Sequence, residues 1–155
     1  MSADRVEPAA TVDADPRSQH IVRYFETLTP ASLTQIAAVY ADGARFIDPF
    51  DDVSGLPAIR RVFEHMFQNL HAPRFEVLRC FSDGDECMLL WNFRFRRGGR
   101  TEDTVIHGVS HLRYGADGRI EFHQDHWDPA RQIYEGLPVL GRVLRWLRRS
   151  LSAQA

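Results

Sequence analysis

Residues 24–49 read YFETLTPASLTQIAAVYADGARFIDP and combine two helical patterns, a break and a short strand. Apolar side chains recur at helical spacing over residues 21–28 and again over 33–40, so each run predicts a helix with one apolar face. A Thr-Pro pair separates the runs and suits the N-cap and first position of the second helix. The alternating run 45–48 precedes a proline and predicts a brief strand.

The two ends of this stretch carry side chains that can do chemistry. Tyr24 lies on the apolar face predicted for the first helix, and Asp48 lies at the end of the predicted strand. A phenol and a carboxylate placed in this way could face the same pocket. The alternatives are structural, because a tyrosine on an apolar face is commonly a core residue and an aspartate before a proline commonly forms a turn.

Composition limits the classes of protein that fit. The 155 residues are 44% hydrophobic and 26% charged, which suffices for one domain with a sizeable core. A net charge of -2 gives no global reason to expect a nucleic-acid partner. The longest apolar runs are far shorter than the roughly 20 residues of a transmembrane helix, and no export signal is recognisable. We therefore expect a cytoplasmic protein.

The rest of the chain predicts an α+β fold. A third helix begins at Pro57 and has a wide apolar stripe. Strand patterns separated by glycine turns follow at residues 74–81, 87–95, 104–114 and 119–127. We expect a curved antiparallel sheet wrapped around about three helices. The predicted domain spans residues 18–130, between a disordered tail at 1–17 and an extension at 131–155.

The C-terminal extension contains a basic amphipathic helix. Over residues 137–151, leucines and valines follow one side of the predicted helix and arginines the opposite side. Two interpretations stay open. The helix covers the sheet, the pocket mouth or a dimer partner, or it makes a peripheral contact with an anionic membrane surface.

Two cysteines argue against a disulfide scaffold. Cys80 and Cys87 flank an Asp-Gly turn at 83–84 and would lie opposite each other if that turn has a two-residue loop. A cross-strand disulfide is then geometrically conceivable. In a cytoplasm, two reduced thiols are the more common state.

Four short motifs resemble the nuclear-transport-factor-2-like superfamily, especially its ketosteroid isomerase and SnoaL-like members. The motifs are Tyr24, Phe46–Pro49, Pro57–Arg60 and Asp117–Ile120. In the isomerases, a helix-borne tyrosine precedes the aspartate of an Asp-Pro pair by 24 positions, as Tyr24 precedes Asp48 here. The resemblance implies a cone-shaped fold around a deep, mostly apolar pocket, and we expect a homodimer formed through the sheet.

Resemblance to the isomerases implies one catalytic site. Asp48 would move a proton next to a carbonyl group, and Tyr24 would donate a hydrogen bond to the enolate oxygen. Ser110 stands where the isomerases have a second donor, a protonated aspartate. A serine hydroxyl can also donate, but it is shorter and less acidic, so the oxyanion hole would be weaker or displaced.

Resemblance to the SnoaL-like cyclases implies a different site. His123, Asp125 and Trp127 share one face of the last predicted strand. In the cyclases, an acid on this strand and a nearby histidine perform the acid/base chemistry of an aldol closure. Asp125 would then be the catalytic acid/base and His123 its assistant. The two side chains could equally pair only to satisfy a buried site.

Aromatic residues complete the predicted pocket. Phe63, Phe67, Trp91, Phe93 and Trp127 could hold a flat or long apolar ligand, although each one could also be core packing. The histidines form no ligand triad of recognised spacing, so we expect neither a metal nor another cofactor.

Three functions fit these patterns. The first is a double-bond isomerase that uses Asp48 and Tyr24, and the second is a cyclase or related acid/base enzyme that uses Asp125 with His123. The third is a non-catalytic carrier or sensor of an apolar small molecule, since this fold supports all three.

Overall fold

The computed structural model describes residues 12–134 and 139–151. Its helices are α1 (Pro16–Glu26), a 3-10 helix (Ala31–Ala38), α2 (Leu56–Asn69), α3 (Pro129–Gln132) and α4 (Leu140–Leu151). Its strands are β1 (Tyr40–Ile47), β2 (Asp52–Ser54), β3 (His71–Asp83), β4 (Glu86–Arg96), β5 (Thr104–Tyr114) and β6 (Ile120–His126).

One six-stranded sheet, in the order β2-β1-β6-β5-β4-β3, forms the body of the domain. All neighbouring strands are antiparallel except β1 and β6, which pair in parallel. Register shifts interrupt β1 between Tyr40 and Arg45 and β3 between Val77 and Arg79. Such bulges bend a strand and increase its twist, so they help the sheet to curve around α1 and α2. The predicted α+β fold with a curved sheet is confirmed.

The helices begin and end where local chemistry allows. Asp15 caps α1 by accepting a hydrogen bond from the Arg17 backbone N–H at 2.8 Å. The predicted disordered tail falls largely on residues 1–11, which lie outside the described residues. Pro57 lies in the first turn of α2, where its missing N–H leaves no hydrogen bond unmade, as predicted.

The second helical pattern does form a helix, but it is a 3-10 helix that ends at Ala38, and Tyr40 begins β1. Its N-cap is Pro30 and not Thr29. The Thr29 hydroxyl oxygen still accepts a hydrogen bond from the Ser32 backbone N–H at 3.2 Å. Pairing with β6 overrides the helical spacing, since the Ile120 N–H donates to the Val39 carbonyl at 2.8 Å. β2, a short strand after the 48–51 turn, was not predicted.

The cysteines pack side by side but not in the expected register. The β3–β4 turn is Gly84-Asp85, which places Cys87 opposite Ser82 and Cys80 opposite Leu89. The two buried thiols are therefore diagonal neighbours, with 3.3 Å between their sulfur atoms. They are free thiols in this structure.

The C-terminal helix α4 presents apolar side chains to solvent. Leu140, Val143, Trp146 and Leu147 are all exposed. Among the described residues, no helix is long and apolar enough to cross a membrane. Contact of this helix with a membrane surface or a dimer partner stays a prediction, as does the homodimer.

Candidate active site

A cavity of about 430 Å³ lies between the curved sheet and α2. Its walls are mostly apolar, with Val62, Phe63 and Met66 from α2 facing Trp91 and Phe93 from β4. A small recess of about 20 Å³ continues from its inner end and reaches Ser110 and His123. Phe63, Phe75, Trp91 and Asp125 line both spaces, so Asp125 lies where they meet.

Aromatic residues surround the mouth of the cavity. Phe50 is 57% exposed, and its ring lies 5.6 Å from that of Trp127 and 6.4 Å from that of Tyr134. The side-chain amide of Gln132 holds α3 nearby by accepting from the His107 N–H at 2.7 Å and donating to the His107 carbonyl at 3.1 Å. This pair of bonds continues the β5 ladder beyond the end of β6.

Two hydrogen bonds to one oxygen position the Asp125 carboxylate. Its Oδ1 accepts from the Ser110 hydroxyl at 2.5 Å and lies 2.7 Å from His123 Nε2. Ser110 is directly opposite Asp125 in the β5–β6 pairing, and His123 is two residues before it on the same face of β6. Within the part of the chain that the structure describes, Oδ2 has no hydrogen-bond partner.

A hydrogen-bonded chain continues on both sides of this carboxylate. The Trp91 indole N–H donates to the Ser110 hydroxyl oxygen at 2.8 Å, and the Tyr40 hydroxyl lies 2.7 Å from His123 Nδ1. Burial raises the pKa of Tyr40 well above its usual value, with smaller contributions from Asp125 and Tyr24. The phenol therefore keeps its proton and can donate to Nδ1. In the tautomer with a proton on Nε2, His123 donates that N–H to Asp125.

Packing holds both ends of this hydrogen-bonded chain of side chains in place. His123 is 3% exposed, stacks on the Tyr40 ring and has the edges of Phe25 and Phe46 against it. The Trp91 ring lies over Gly108, its partner across β4 and β5, where an added Cβ would approach the ring to 2.2 Å. Only glycine leaves room for the indole in this position, so Gly108 helps to set the direction of the Trp91 N–H.

Asp48 lines the same cavity and is held by a turn. Its Oδ1 accepts from the backbone N–H groups of Phe50 at 2.7 Å and Asp51 at 2.6 Å. Burial raises the pKa of Asp48; its two backbone hydrogen bonds oppose this shift, and the charges of Asp51 and Asp125 add to it. Two predicted acids, Asp48 and Asp125, therefore lie in one cavity.

The structure does not bring Tyr24 together with Asp48. The Tyr24 hydroxyl donates to the Ser32 carbonyl oxygen at 3.2 Å, and its residue lines neither of the two spaces described above. Burial raises the pKa of this phenol to about 12. The expected common pocket for Tyr24 and Asp48 is thus not formed, and the tyrosine that reaches the recess through His123 is Tyr40.

Most of the residues predicted to bind a ligand do line the cavity or its recess. Phe63, Trp91, Phe93, Trp127 and Ser110 all do so. Phe67 does not, because it packs against the core, while Val62 and Met66 of the same helix line the cavity. Across residues 12–134 and 139–151, no group of three His, Cys, Asp or Glu side chains is arranged to hold a metal ion.

Sequence reasoning missed two residues of the site. Tyr40 was hidden by its place at the end of a helical pattern, and only its pairing with β6 reveals its role. Arg97 lines the cavity just past the end of β4. The alternation of Trp91, Phe93 and Phe95 could have revealed it, because Arg97 is the next position on that face.

Comparisons with known proteins agree with this architecture. A family model of the SnoaL-like domain matches residues 21–123, and a comparison with curated proteins gave no match. A solved NTF2-like protein of unknown function from Burkholderia pseudomallei K96243 is 18% identical, with a TM-score of 0.66 over 76% of this chain and 94% of that chain.

Two further solved structures have the same fold. A protein named as a candidate SnoaL-like polyketide cyclase from Shewanella putrefaciens CN-32 is 19% identical, with a TM-score of 0.65 over 78% of this chain and 98% of that chain. A ketosteroid-isomerase-like protein from Catenulispora acidiphila, in complex with trimethylamine, is 12% identical, with a TM-score of 0.68 over 81% and 96%. The matched span runs from the second half of α1 into β6 and includes α2 and β1 to β5 in full, and the chain belongs to the SnoaL-like domain family.

Proposed function

We propose that this protein is a cofactor-independent acid/base enzyme that acts on an apolar carbonyl compound. The observation that carries the proposal is the hydrogen-bonded chain Tyr40–His123–Asp125–Ser110–Trp91 at the inner end of an apolar cavity. Asp125 is the proton acceptor, and cyclisation or double-bond isomerisation are the reaction types that begin with such a proton transfer.

The proposal gives the two oxygens of Asp125 separate tasks. Oδ1 is held by Ser110 and His123, so the carboxylate cannot rotate freely. Oδ2 is left to take a proton from the carbon next to a substrate carbonyl, and the electrons of that C–H bond form an enolate. A carboxylate held in place in this way loses little orientational freedom when it reacts.

Asp48 supplies the second acid/base group. Burial raises the pKa of Asp48, so this carboxyl takes up a proton more readily than an exposed aspartate does, and its protonated form can donate to an oxygen on which negative charge develops. In this scheme Asp125 takes the proton and returns it to carbon, or the enolate attacks a second carbonyl group of the same molecule. The second outcome is an aldol closure, in which the new alkoxide oxygen accepts a proton from Asp125.

A carrier or sensor of an apolar molecule is the second candidate. The aromatic walls and the volume of the cavity suit binding without chemistry. In that case the hydrogen bonds around Asp125 serve only to satisfy buried polar groups. The two candidates differ in one measurable property, because only an enzyme transfers protons to and from the bound ligand.

Proton exchange tests the proposal without knowledge of the natural product. The protein is incubated in D2O with 2-tetralone, a flat ketone, and deuterium uptake next to the carbonyl is followed by proton NMR. We expect exchange faster than in buffer, and a loss of about a hundred-fold or more in Asp125→Asn. The carboxamide keeps the size of the side chain but cannot act as the base.

Wild-type exchange no faster than in buffer, for this ketone and for a set of apolar enones, would favour the carrier. Equal exchange by the wild type and Asp125→Asn would remove Asp125 from the chemistry. Circular dichroism of the variant checks that the sheet is intact.

A further inference from the structure

The cavity has a cationic end that the proposed chemistry does not use. Trp91, Phe93 and Phe95 alternate on the inner face of β4, and Arg97 follows on the same side just past the end of the strand. The Arg97 guanidinium lies over the Phe95 ring, with its carbon 5.5 Å from the ring centroid. The aromatic wall of the cavity therefore ends in a positive charge.

Neighbouring arginines form ion pairs, whereas Arg97 forms none with the residues that the structure describes. Arg94 lies 3.2 Å from Glu76, and Arg96 lies 3.8 Å from Asp103, so the alternate side chains of β4 form ion pairs on the other face of the sheet. Among the residues that the structure describes, no carboxylate lies within ion-pair distance of Arg97. Its charge is thus available to a ligand.

The acids of the cavity lie on the other side. Asp48 and Asp51 follow β1, and Asp125 belongs to β6, whereas Arg97 follows β4. Three strand spacings separate β1 from β4, which is about 14 Å across the sheet. A ligand with one negative charge is repelled from the acidic side and attracted to the Arg97 side, so the cavity would orient it.

We infer that the cavity binds apolar molecules that carry a carboxylate, with the carboxylate paired to Arg97 and the apolar body against Phe93 and Phe95. A planar guanidinium presents paired N–H donors that match the two oxygens of a carboxylate. This inference rests on the proposed function only for the reaction at Asp125. It names the class of substrate, a carboxylic acid with a reactive carbonyl remote from the acid group.

The distance between the two ends limits the size of the substrate. Ser110 pairs with both Asp125 and Leu89, which puts Asp125 level with Leu89 in the sheet. The Arg97 guanidinium lies beside Phe95, six residues further along β4, which is about 20 Å of extended strand. With the two strand spacings between β6 and β4, the carboxylate and the reactive carbonyl are therefore separated by no more than about 22 Å.

Binding of a matched pair of probes tests the inference. Naphthylacetate and its neutral amide, naphthylacetamide, have nearly the same shape, and calorimetric titration measures the affinity of the full chain for each. We expect the carboxylate to bind about ten-fold more tightly than the amide at low ionic strength. Arg97→Gln should abolish this preference and change the affinity for the amide less than two-fold.

The adjacent arginine provides the control. Arg96→Gln removes the same charge from the other face of the strand and should keep the preference for the carboxylate. Arg97→Lys keeps the positive charge but loses the paired N–H donors of the guanidinium, so it should retain part of the preference for the carboxylate. Equal binding of the two probes by the wild type, no binding of either at millimolar concentration, or equal losses in Arg97→Gln and Arg96→Gln would each overturn the inference.

The result is separate from the test of catalysis. Asp125→Asn should lose proton exchange and keep the preference for naphthylacetate. If the wild type shows the preference but no exchange with any ketone, the anion site stands and the proposed enzymatic function fails. If exchange occurs and both probes bind equally, the proposed enzymatic function stands and the anion site at Arg97 fails.

Discussion

Asp125 and Asp48 line one cavity, but different parts of the chain hold them. Side chains from β5 and β6 bind Asp125, and each of these partners is itself held by a further side chain, Trp91 or Tyr40. Backbone N–H groups of a four-residue turn bind Asp48. The first arrangement depends on the identity of several residues, whereas the second depends mainly on the path of the backbone. Substitutions should therefore disturb the two carboxylates to very different extents.

The largest effect on stability is expected at His123. His123→Phe keeps an aromatic ring among Phe25, Tyr40 and Phe46 but leaves the Tyr40 hydroxyl without a partner and Asp125 with Ser110 alone. We expect a loss of about 3 kcal/mol in the free energy of unfolding, measured by urea denaturation. The control is His111→Phe, which affects a more exposed ring 3.4 Å from Glu86 and should cost less than about 1 kcal/mol. Equal losses of unfolding free energy in the two variants would show that the hydrogen bonds around Asp125 have no special role in stability.

The two tyrosines give the next effect in size. Tyr40→Phe removes the donor to His123 and should cost about 1–2 kcal/mol in unfolding free energy while slowing proton exchange several-fold. Tyr24→Phe removes a bond to a backbone carbonyl and should leave exchange unchanged. If Tyr24→Phe were the variant that slows exchange, the tyrosine predicted from sequence spacing would be restored to the site. The same NMR assay measures both variants.

The smallest effect is expected at Asp48, and it depends on pH. Because burial raises the pKa of Asp48, the folded protein holds this proton more tightly than the unfolded chain does. The wild type therefore loses stability as the pH rises from the unfolded pKa of an aspartate, about 3.9, through the folded value. Asp48→Asn avoids this loss and keeps an oxygen for the two backbone donors.

We expect Asp48→Asn to be more stable than the wild type at neutral pH by less than about 1 kcal/mol, with no advantage below the unfolded pKa. Denaturation curves at several pH values measure the difference. An advantage that grows as the pH falls would contradict the burial of this carboxyl group. In the exchange assay, this variant should lose less activity than Asp125→Asn.

Local patterns in the sequence predicted the fold class, but neither the full topology of the sheet nor the full site. The α2 stripe and the long strands could be predicted because helical and alternating periodicities are properties of short segments. His123 and Asp125 could be predicted to share a face for the same reason. The parallel pairing of β1 with β6 joins residues about 80 positions apart, and no local pattern indicates it. Tyr40 depends on that pairing and was therefore missed.

Spacing alone was a poor guide to the direction of a side chain. Tyr24 and Asp48 have the separation found in the isomerases, yet the Tyr24 hydroxyl is taken by the carbonyl of Ser32, a contact that depends on the path of the loop after α1. Phe67 belongs to the apolar stripe of α2 but packs against the core without lining the cavity. A wide apolar stripe indicates which side of a helix is buried, but it does not distinguish the residues that pack in the core from those that line the cavity.

Gly108 links two positions in any future variation of this sequence. Because a Cβ at residue 108 would approach the Trp91 ring to 2.2 Å, a larger residue there requires a smaller one at 91. A library that varies residue 108 alone should therefore return almost only glycine, whereas joint variation of residues 91 and 108 opens new shapes for the inner wall. Relatives with a larger residue at 108 should accordingly have a smaller one at 91.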